Sequence, residues 1–367
     1  MILKKKIISF ILPSLGGGGT EKVYLNLALY LFSKGYEIHF VLLEKKGELL
    51  KYLPIEIFVY SLNKKRFRNS IFSLVKYFKT QKPNYVLASM WPLTSISVIA
   101  WILAGKRCKL FLSEHSNLTE TYLTSKIENA FFLKLLIRIT YPYVNGVICV
   151  SNGVLEDIIT MGRLKRDKIK VIYNPVTNDR FNNDIVNEIP DFWRDCSFKI
   201  LSIGRFVSQK NHALLLNAFC ILRKSLDVKL IILGDGPLYL QTKEYLNKLG
   251  LVDSVIMPGF TTDTNPFFYH SNLFVLSSNF EGLPTVLIEA LDYGISIVST
   301  DCPSGPAEIL SNGIYGTLVP VGDTEKLAFA MQQSLLNPRE KISLKGRAKD
   351  FSVEKMSELY LSMFLNF

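Results

Sequence analysis

Runs of Ile, Val, Leu and Phe, three to six residues long, recur between longer stretches in which apolar residues return every three or four positions. Strand-length apolar runs alternating with helical periodicity predict parallel sheets wrapped by helices, an α/β architecture. In the first half the runs fall at 7–12, 38–43, 56–60, 85–89, 109–113, 146–150 and 169–172. The second half repeats the pattern at 199–202, 229–233, 254–257, 273–276, 296–299 and 317–319. Between them, 174–197 carries Pro175, Pro190, Asn178, Asn182, Asn183 and Asn187, a turn-rich composition that predicts a boundary. A length of 367 residues, 48% apolar and 20% charged, agrees with two domains that each bury a core.

Two stretches admit a membrane reading. Residues 85–105 carry no charge and are long enough to span a bilayer, but Ser89, Pro92, Thr94, Ser95 and Ser97 divide them into a strand at 85–89 and a buried helix at 93–103. Lys4, Lys5 and Lys6 before the apolar run 7–15 resemble the start of a signal peptide; Pro13 and the lack of an A-x-A site favour a strand ending in a glycine loop. The five cysteines, Cys108, Cys149, Cys196, Cys220 and Cys302, form no C-x-x-C pair, which points to a reducing, cytoplasmic compartment.

Charge is unevenly spread. Up to Arg180 there are 27 Lys and Arg against 12 Asp and Glu; beyond it, 16 against 20. The basic half is therefore expected to face something anionic. Nucleic acid would need a basic run with interleaved aromatics or a reading helix, and neither occurs. An anionic membrane surface fits the clusters Lys64, Lys65, Arg66, Arg68 and Lys106, Arg107, Lys109, and 126–143 reads either as an interfacial helix or as a core helix with solvated lysines.

In open parallel sheets, ligands bind beyond the carboxyl ends of the strands, so the chemistry is sought in three loops. After the first strand come Gly16 to Gly19, Thr20 and Glu21, where glycines let backbone N–H groups approach a phosphate or sugar; a plain tight turn is the alternative. After the strand at 199–202 come Gly204-Arg205 and Lys210-Asn211, whose guanidinium and ammonium suit a diphosphate or are two solvated cations. After the strand at 273–276 come Glu281-Gly282-Leu283-Pro284-Thr285-Val286, with Pro284 suited to a first helical turn and Glu289 farther along. Carboxylates there can accept sugar or ribose hydroxyls; a merely buried helix is the alternative. His115 at a strand end is open to either a structural or a functional role. His39, His212 and His270 sit inside apolar patterns and read as structural.

Taken together, Gly18-Gly19-Thr20-Glu21, Ser113-Glu114-His115, Val150-Ser151-Asn152-Gly153, Tyr173-Asn174-Pro175-Val176, Gly204-Arg205 with Lys210-Asn211, Gly234-Asp235-Gly236-Pro237 and Ser278-Asn279-Phe280-Glu281-Gly282-Leu283-Pro284 follow a known order. The sequence resembles the retaining GT-B glycosyltransferases, a large group that includes bacterial lipopolysaccharide-core, capsule and lipid-linked-oligosaccharide transferases. The resemblance covers nearly the whole chain, and Glu281 with Glu289 matches the group's paired-glutamate signature.

It implies two facing Rossmann-like domains: an acceptor-side domain at 1–175, a linker at 176–197, a nucleotide-sugar-binding domain at 198–350 and a helix at 351–367 packing back toward the first domain. It also implies that Arg205, Lys210, Thr285 and Val286 hold the donor diphosphate and that Glu289 holds the ribose. Gly18 and Gly19 would lie near the donor phosphate, and Glu281 and His115 would contact the transferred sugar. The run 302–308 looks like the subset that acts on surface and lipid-linked glycans. The expected donor is a nucleotide sugar, most readily a UDP-hexose or UDP-N-acetylhexosamine.

No D-x-D occurs, so no metal and no further cofactor are expected, and the departing diphosphate would be neutralised by fixed charge. Two rival readings are a nucleotide-sugar epimerase of the same fold and a non-catalytic sugar-nucleotide or glycan-binding protein. The basic half disfavours the first, and the intact Arg205, Lys210, Glu281 and Glu289 set disfavours the second.

Overall fold

A computed structural model describes residues 5–124, 130–177 and 188–366. The chain divides into two compact units, Met1–Val176 with Val353–Phe367, and Thr177–Ser352. Each is an α/β body built on one parallel sheet.

In the first unit the strands are β1 (Ile7–Leu12), β2 (Glu37–Leu42), β3 (Phe58–Ser61), β4 (Tyr85–Ser89), β5 (Lys109–Glu114), β6 (Gly146–Cys149) and β7 (Ile169–Val171), in the order β3-β2-β1-β4-β5-β6-β7. The helices are α1 (Gly19–Ser33), α2 (Ile71–Gln81), α3 (Leu93–Leu103), α4 (Leu118–Thr124), α5 (Ala130–Thr140) and α6 (Asn152–Gly162). In the second unit, β8 (Phe198–Ile203), β9 (Val228–Leu233), β10 (Val255–Gly259), β11 (Leu273–Leu276), β12 (Ser296–Thr300) and β13 (Thr317–Val319) pair in the order β10-β9-β8-β11-β12-β13. Its helices are α7 (His212–Leu222), α8 (Tyr239–Lys248), α9 (Asn265–His270), α10 (Thr285–Tyr293), α11 (Pro306–Ile309), α12 (Thr324–Leu336) and α13 (Lys341–Ala348). The last helix, α14 (Val353–Asn366), belongs to the first unit.

Each apolar run in the sequence forms a strand. The one displacement with a clear cause is β3, which starts at Phe58 and not at 56. Ile57 N donates to Pro54 O in a turn that occupies the intervening residues. Central β1 is buried at all six positions, as a parallel strand with helices on both faces must be, while edge strand β3 is only partly covered. Residues 85–105 resolve into β4 and α3, and α3 is buried nearly all round. No helix among the described residues is long and apolar enough to cross a membrane.

Helix α14 completes the first core. Met356, Tyr360, Met363 and Phe364 join the β1, β2 and α1 cluster, and Phe364 stacks on Tyr85 at 5.9 Å. Gly146 makes room for it, since a Cβ there would lie 2.4 Å from Met363 Cε. Of the expected linker, residues 178–187 lie outside the described residues. Residues 188–197 are part of the second unit, where Trp193 is fully buried. Both sheets reverse strand order once, between β1 and β4 and between β8 and β11. The carboxyl ends at such a reversal leave a crevice, and the motif-bearing loops follow these strands.

Candidate active site

In the second unit, the loop after β8 is pinned from below and open above. Phe206 is fully buried and stacks on His212 at 4.3 Å, while Arg205 is exposed and its guanidinium has no partner among the described residues. Burial, with Lys210 nearby, pushes the His212 imidazole down to about 4, which fits the structural role read from sequence. Asn211, in the left-handed region at φ 44°, caps α7 by accepting from Leu214 N at 3.2 Å. Gly234 lies against this loop at φ 146°, and a Cβ on it would come within 2.0 Å of Gly204 O. Only glycine permits that approach.

The loop after β11 is laced to the loop after β8. Asn279 N donates to Gln209 O (2.7 Å), Asn211 Nδ2 to Asn279 Oδ1 (2.9 Å), Asn279 Nδ2 to Ser208 O (3.0 Å) and Ser277 Oγ to Lys210 O (2.8 Å). At the centre, Lys210 Nζ donates to Glu281 Oε1 at 2.6 Å, with side chains only 17% and 7% exposed. Ser278 Oγ donates to the same oxygen at 2.5 Å, and Gln209 Nε2 reaches Oε2 at 3.4 Å. A charge pair this enclosed persists only when its remaining lone pairs are also met, and these donors meet them.

Beyond Glu281 the chain enters α10. Pro284 is its N-cap, one position ahead of the first turn where sequence placed it, and no side chain caps the helix. The N–H groups at Thr285 and Val286 therefore form a positive helix end of the kind that binds anions. Glu289 lies one turn along, partly buried. The 302–308 run packs beneath: Glu281 N donates to Pro303 O, and a Cβ on Gly305 (φ 95°) would meet Pro284 Cδ at 2.6 Å.

In the first unit, Gly18 is the N-cap of α1 and Gly19 its first residue, again with no side-chain cap. At the end of β5 lies a polar cluster. Ser113 Oγ is 2.9 Å and Tyr24 Oη 3.4 Å from His115 Nε2, and Tyr24 Oη also bonds Ser89 Oγ. Nδ1 of His115 is buried without a hydrogen-bond partner, and burial pushes the imidazole down to about 3. Next to it, Glu114 is fully enclosed and accepts from Tyr141 Oη, which also bonds Thr94 Oγ1 at 2.9 Å. Burial raises this carboxyl to about 7 against the lowering effect of those hydroxyls.

The structure thus brings Lys210 and Glu281 into direct contact, where sequence had assigned them to different substrate groups, and leaves Arg205 free beside them. Gln209 and Ser278, which set the Glu281 carboxylate, were not singled out; their side chains matter only once two loops 70 residues apart meet. Tyr24 and Tyr141 were hidden inside apolar helical patterns for the same reason. Among the described residues no three His, Cys, Asp or Glu side chains converge as a metal site.

Comparison with known proteins agrees with this architecture. Residues 191–350 match the family model "Glycosyl transferases group 1", and residues 17–180 match "Glycosyltransferase Family 4". The chain is similar over 96% of its length to a Campylobacter jejuni N-acetylgalactosamine-N,N'-diacetylbacillosaminyl-diphospho-undecaprenol 4-alpha-N-acetylgalactosaminyltransferase, 28% identical and covered to 97%. A second C. jejuni enzyme, a GalNAc-alpha-(1->4)-GalNAc-alpha-(1->3)-diNAcBac-PP-undecaprenol alpha-1,4-N-acetyl-D-galactosaminyltransferase, is 29% identical with 97% of each chain aligned. Among solved structures, Anabaena HepE in complex with UDP and glucose superposes with a TM-score of 0.80 at 19% identity, covering 99% of this chain and all of that one. With both halves matched and both sheets in place, the chain belongs to the GT-B glycosyltransferases, its second half a group 1 glycosyl transferase domain.

Proposed function

We propose that the protein moves a hexose or N-acetylhexosamine from a UDP-sugar to a lipid-linked or surface glycan, with retention at the anomeric carbon and without a metal ion. The observation that carries this reading is the enclosed Lys210–Glu281 pair beside the unpaired Arg205 and the uncapped start of α10. Departure of a nucleoside diphosphate leaves negative charge, and fixed cations with aligned N–H groups stabilise it without a divalent ion. Arg205, Lys210 and the Thr285–Val286 backbone are assigned to that diphosphate, and Glu289 to ribose hydroxyls.

Glu281 Oε1 already accepts from Lys210 and Ser278, which leaves Oε2, with only the long Gln209 contact, for a sugar hydroxyl. A carboxylate so engaged is a poor nucleophile. The same-face route, in which the leaving phosphate takes the acceptor proton, follows from that. In the first unit, neutral His115 and the Gly18–Gly19 helix start are assigned to sugar and phosphate groups of the substrates.

The acceptor class is supported by the two C. jejuni relatives, whose names specify undecaprenol-diphosphate-linked glycans, and the nucleotide by the UDP in the HepE complex. The excess of basic residues before Arg180 supports work at an anionic membrane surface, on its cytoplasmic side given the unpaired cysteines. Calorimetric titration with UDP, GDP and UDP-sugars in EDTA tests the donor site. Micromolar binding of one nucleotide, lost in Arg205→Ala and in Glu289→Ala, is the expected result. No binding, even with acceptor-bearing vesicles present, refutes it; binding with donor conversion but no transfer would instead indicate an epimerase.

A further inference from the structure

The amino ends of the strands, opposite the motif-bearing loops, hold a cavity that the glycosyltransferase reading does not use. It has a volume of about 460 Å3 and lies where β4, β5 and β6 begin. Four cations line it, Lys82, Lys106, Arg107 and Lys109, with Trp101 and Tyr143 beside them, and no acid is among its lining residues. Lys109 opens β5 and His115 follows its last residue. At about 3.3 Å per residue, the two places are roughly 20 Å apart along one strand.

The walls of this cavity are fixed. Asn84 Oδ1 accepts from Ile7 N at 2.8 Å and Asn145 Oδ1 from Leu110 N at 2.9 Å, so both amide oxygens are engaged by the backbone and each amide keeps its NH2 as a donor. Trp101 Nε1 donates to Cys108 O at 2.9 Å. The Lys106 ammonium is held over two rings, 5.6 Å from the Trp101 centroid and 5.2 Å from that of Tyr143. Helices α2 and α3 end here, and their carboxyl termini account for some of the positive charge. Each offsets only about half a unit, which leaves most of four cations uncompensated.

We propose that this cavity is a phosphate-binding site, distinct from the donor site. Ammonium groups, a guanidinium and neutral amide donors without a competing carboxylate match a phosphate mono- or diester. The headgroup of an anionic lipid is one source. Exposed Ile102 and Leu103 end α3 beside the cavity, and Phe132, Leu135 and Ile139, on one exposed face of α5, lead to Tyr143. A soluble phosphate ester is the other source. The proposal stands whether or not the transfer reaction is as assigned.

The test compares the full chain with Lys106→Gln/Arg107→Gln/Lys109→Gln and with a control that removes three exposed cations of the second unit, Lys224→Gln/Lys243→Gln/Lys248→Gln. Arg107→Gln alone is included as a milder change should the triple variant unfold in a thermal melt. Binding is measured to vesicles with and without phosphatidylglycerol, and to inorganic pyrophosphate with UDP saturating, so that the donor site is filled. The expected result is a loss of about tenfold or more in the cavity variant and little loss in the control. Loss in the vesicle arm alone names the lipid as source, and loss in the pyrophosphate arm names a soluble ester. Equal weakening in both triple variants, or no binding in either arm, overturns the proposal.

Discussion

The two units treat buried polar groups in opposite ways. In the second, Lys210 and Glu281 are paired in an enclosed place, and Ser278 and Gln209 meet what the pair leaves unfilled. In the first, burial leaves the Glu114 carboxyl raised to about 7 and the His115 imidazole lowered to about 3, so burial drives both toward their neutral forms. The second unit thus holds partnered charge, and the first holds neutral hydrogen-bonding groups. The same fold serves both, and the difference lies in which side chains the loops bring together.

The sharpest way to break that comparison is to remove charge where it is partnered. Glu281→Gln keeps the shape but strips Lys210 of its counter-charge. On the proposed assignment, transfer measured as UDP release should fall by about a hundredfold or more in kcat, the range typical of a lost electrostatic partner at a reacting centre. Ser278→Ala removes one neutral donor to the same oxygen and should cost about tenfold or less. Equal effects of the two changes would mean that the carboxylate's position matters and its charge does not.

Both halves of this contrast were unequally legible in the sequence. Strand positions were readable because parallel strands buried on both faces must be continuously apolar, and Glu281 and Arg205 because they stand out against that background. The Lys210–Glu281 contact was not readable, since it depends on the β8 and β11 loops meeting across a strand-order reversal. Glu114 was visible only as part of a motif; its enclosure by Thr94 and Tyr141 comes from α3 and from the turn after α5. The described part of the expected linker, with Trp193 buried, shows that turn-rich composition marks a boundary without saying which side the chain docks on.

Backbone geometry gives a second contrast between the units. Gly234→Ala places a methyl against Gly204 O at φ 146° and should destabilise the second unit by roughly 3 kcal/mol, with a fall in Tm on the order of 5–10 °C. Gly18→Ala, at φ −73°, meets only the flexible end of Glu21, and its cost should stay under about 1 kcal/mol. Thermal melts of both variants decide this. A Gly234→Ala melt close to wild type would show that the two loops can part without cost, and their role as a rigid frame for Lys210 would fall.

The remaining contrast concerns the neutral pair, and its sign is specific. Glu114 titrates at about 7 in the folded chain against 4.5 ordinarily, so between those values the folded state holds a proton that the unfolded chain has released. Its contribution to stability therefore falls as pH rises from 4.5 and levels off above 7. His115 is the reverse: with the folded imidazole at about 3 against 6.5, the unfolded chain binds the extra proton, and stability rises with pH between those values. Between pH 4.5 and 6.5 the two trends oppose each other in the wild type. Glu114→Gln keeps an acceptor for Tyr141 but removes the falling term, so its stability relative to wild type should grow with pH, by on the order of 2 kcal/mol at pH 8. His115→Asn should do the opposite and lose ground to wild type as pH rises from 4 to 6.5. Denaturant melts across this range resolve both, and curves parallel to wild type would mean that these groups titrate in the folded chain as they do in the unfolded one, which would erase the distinction between the two units.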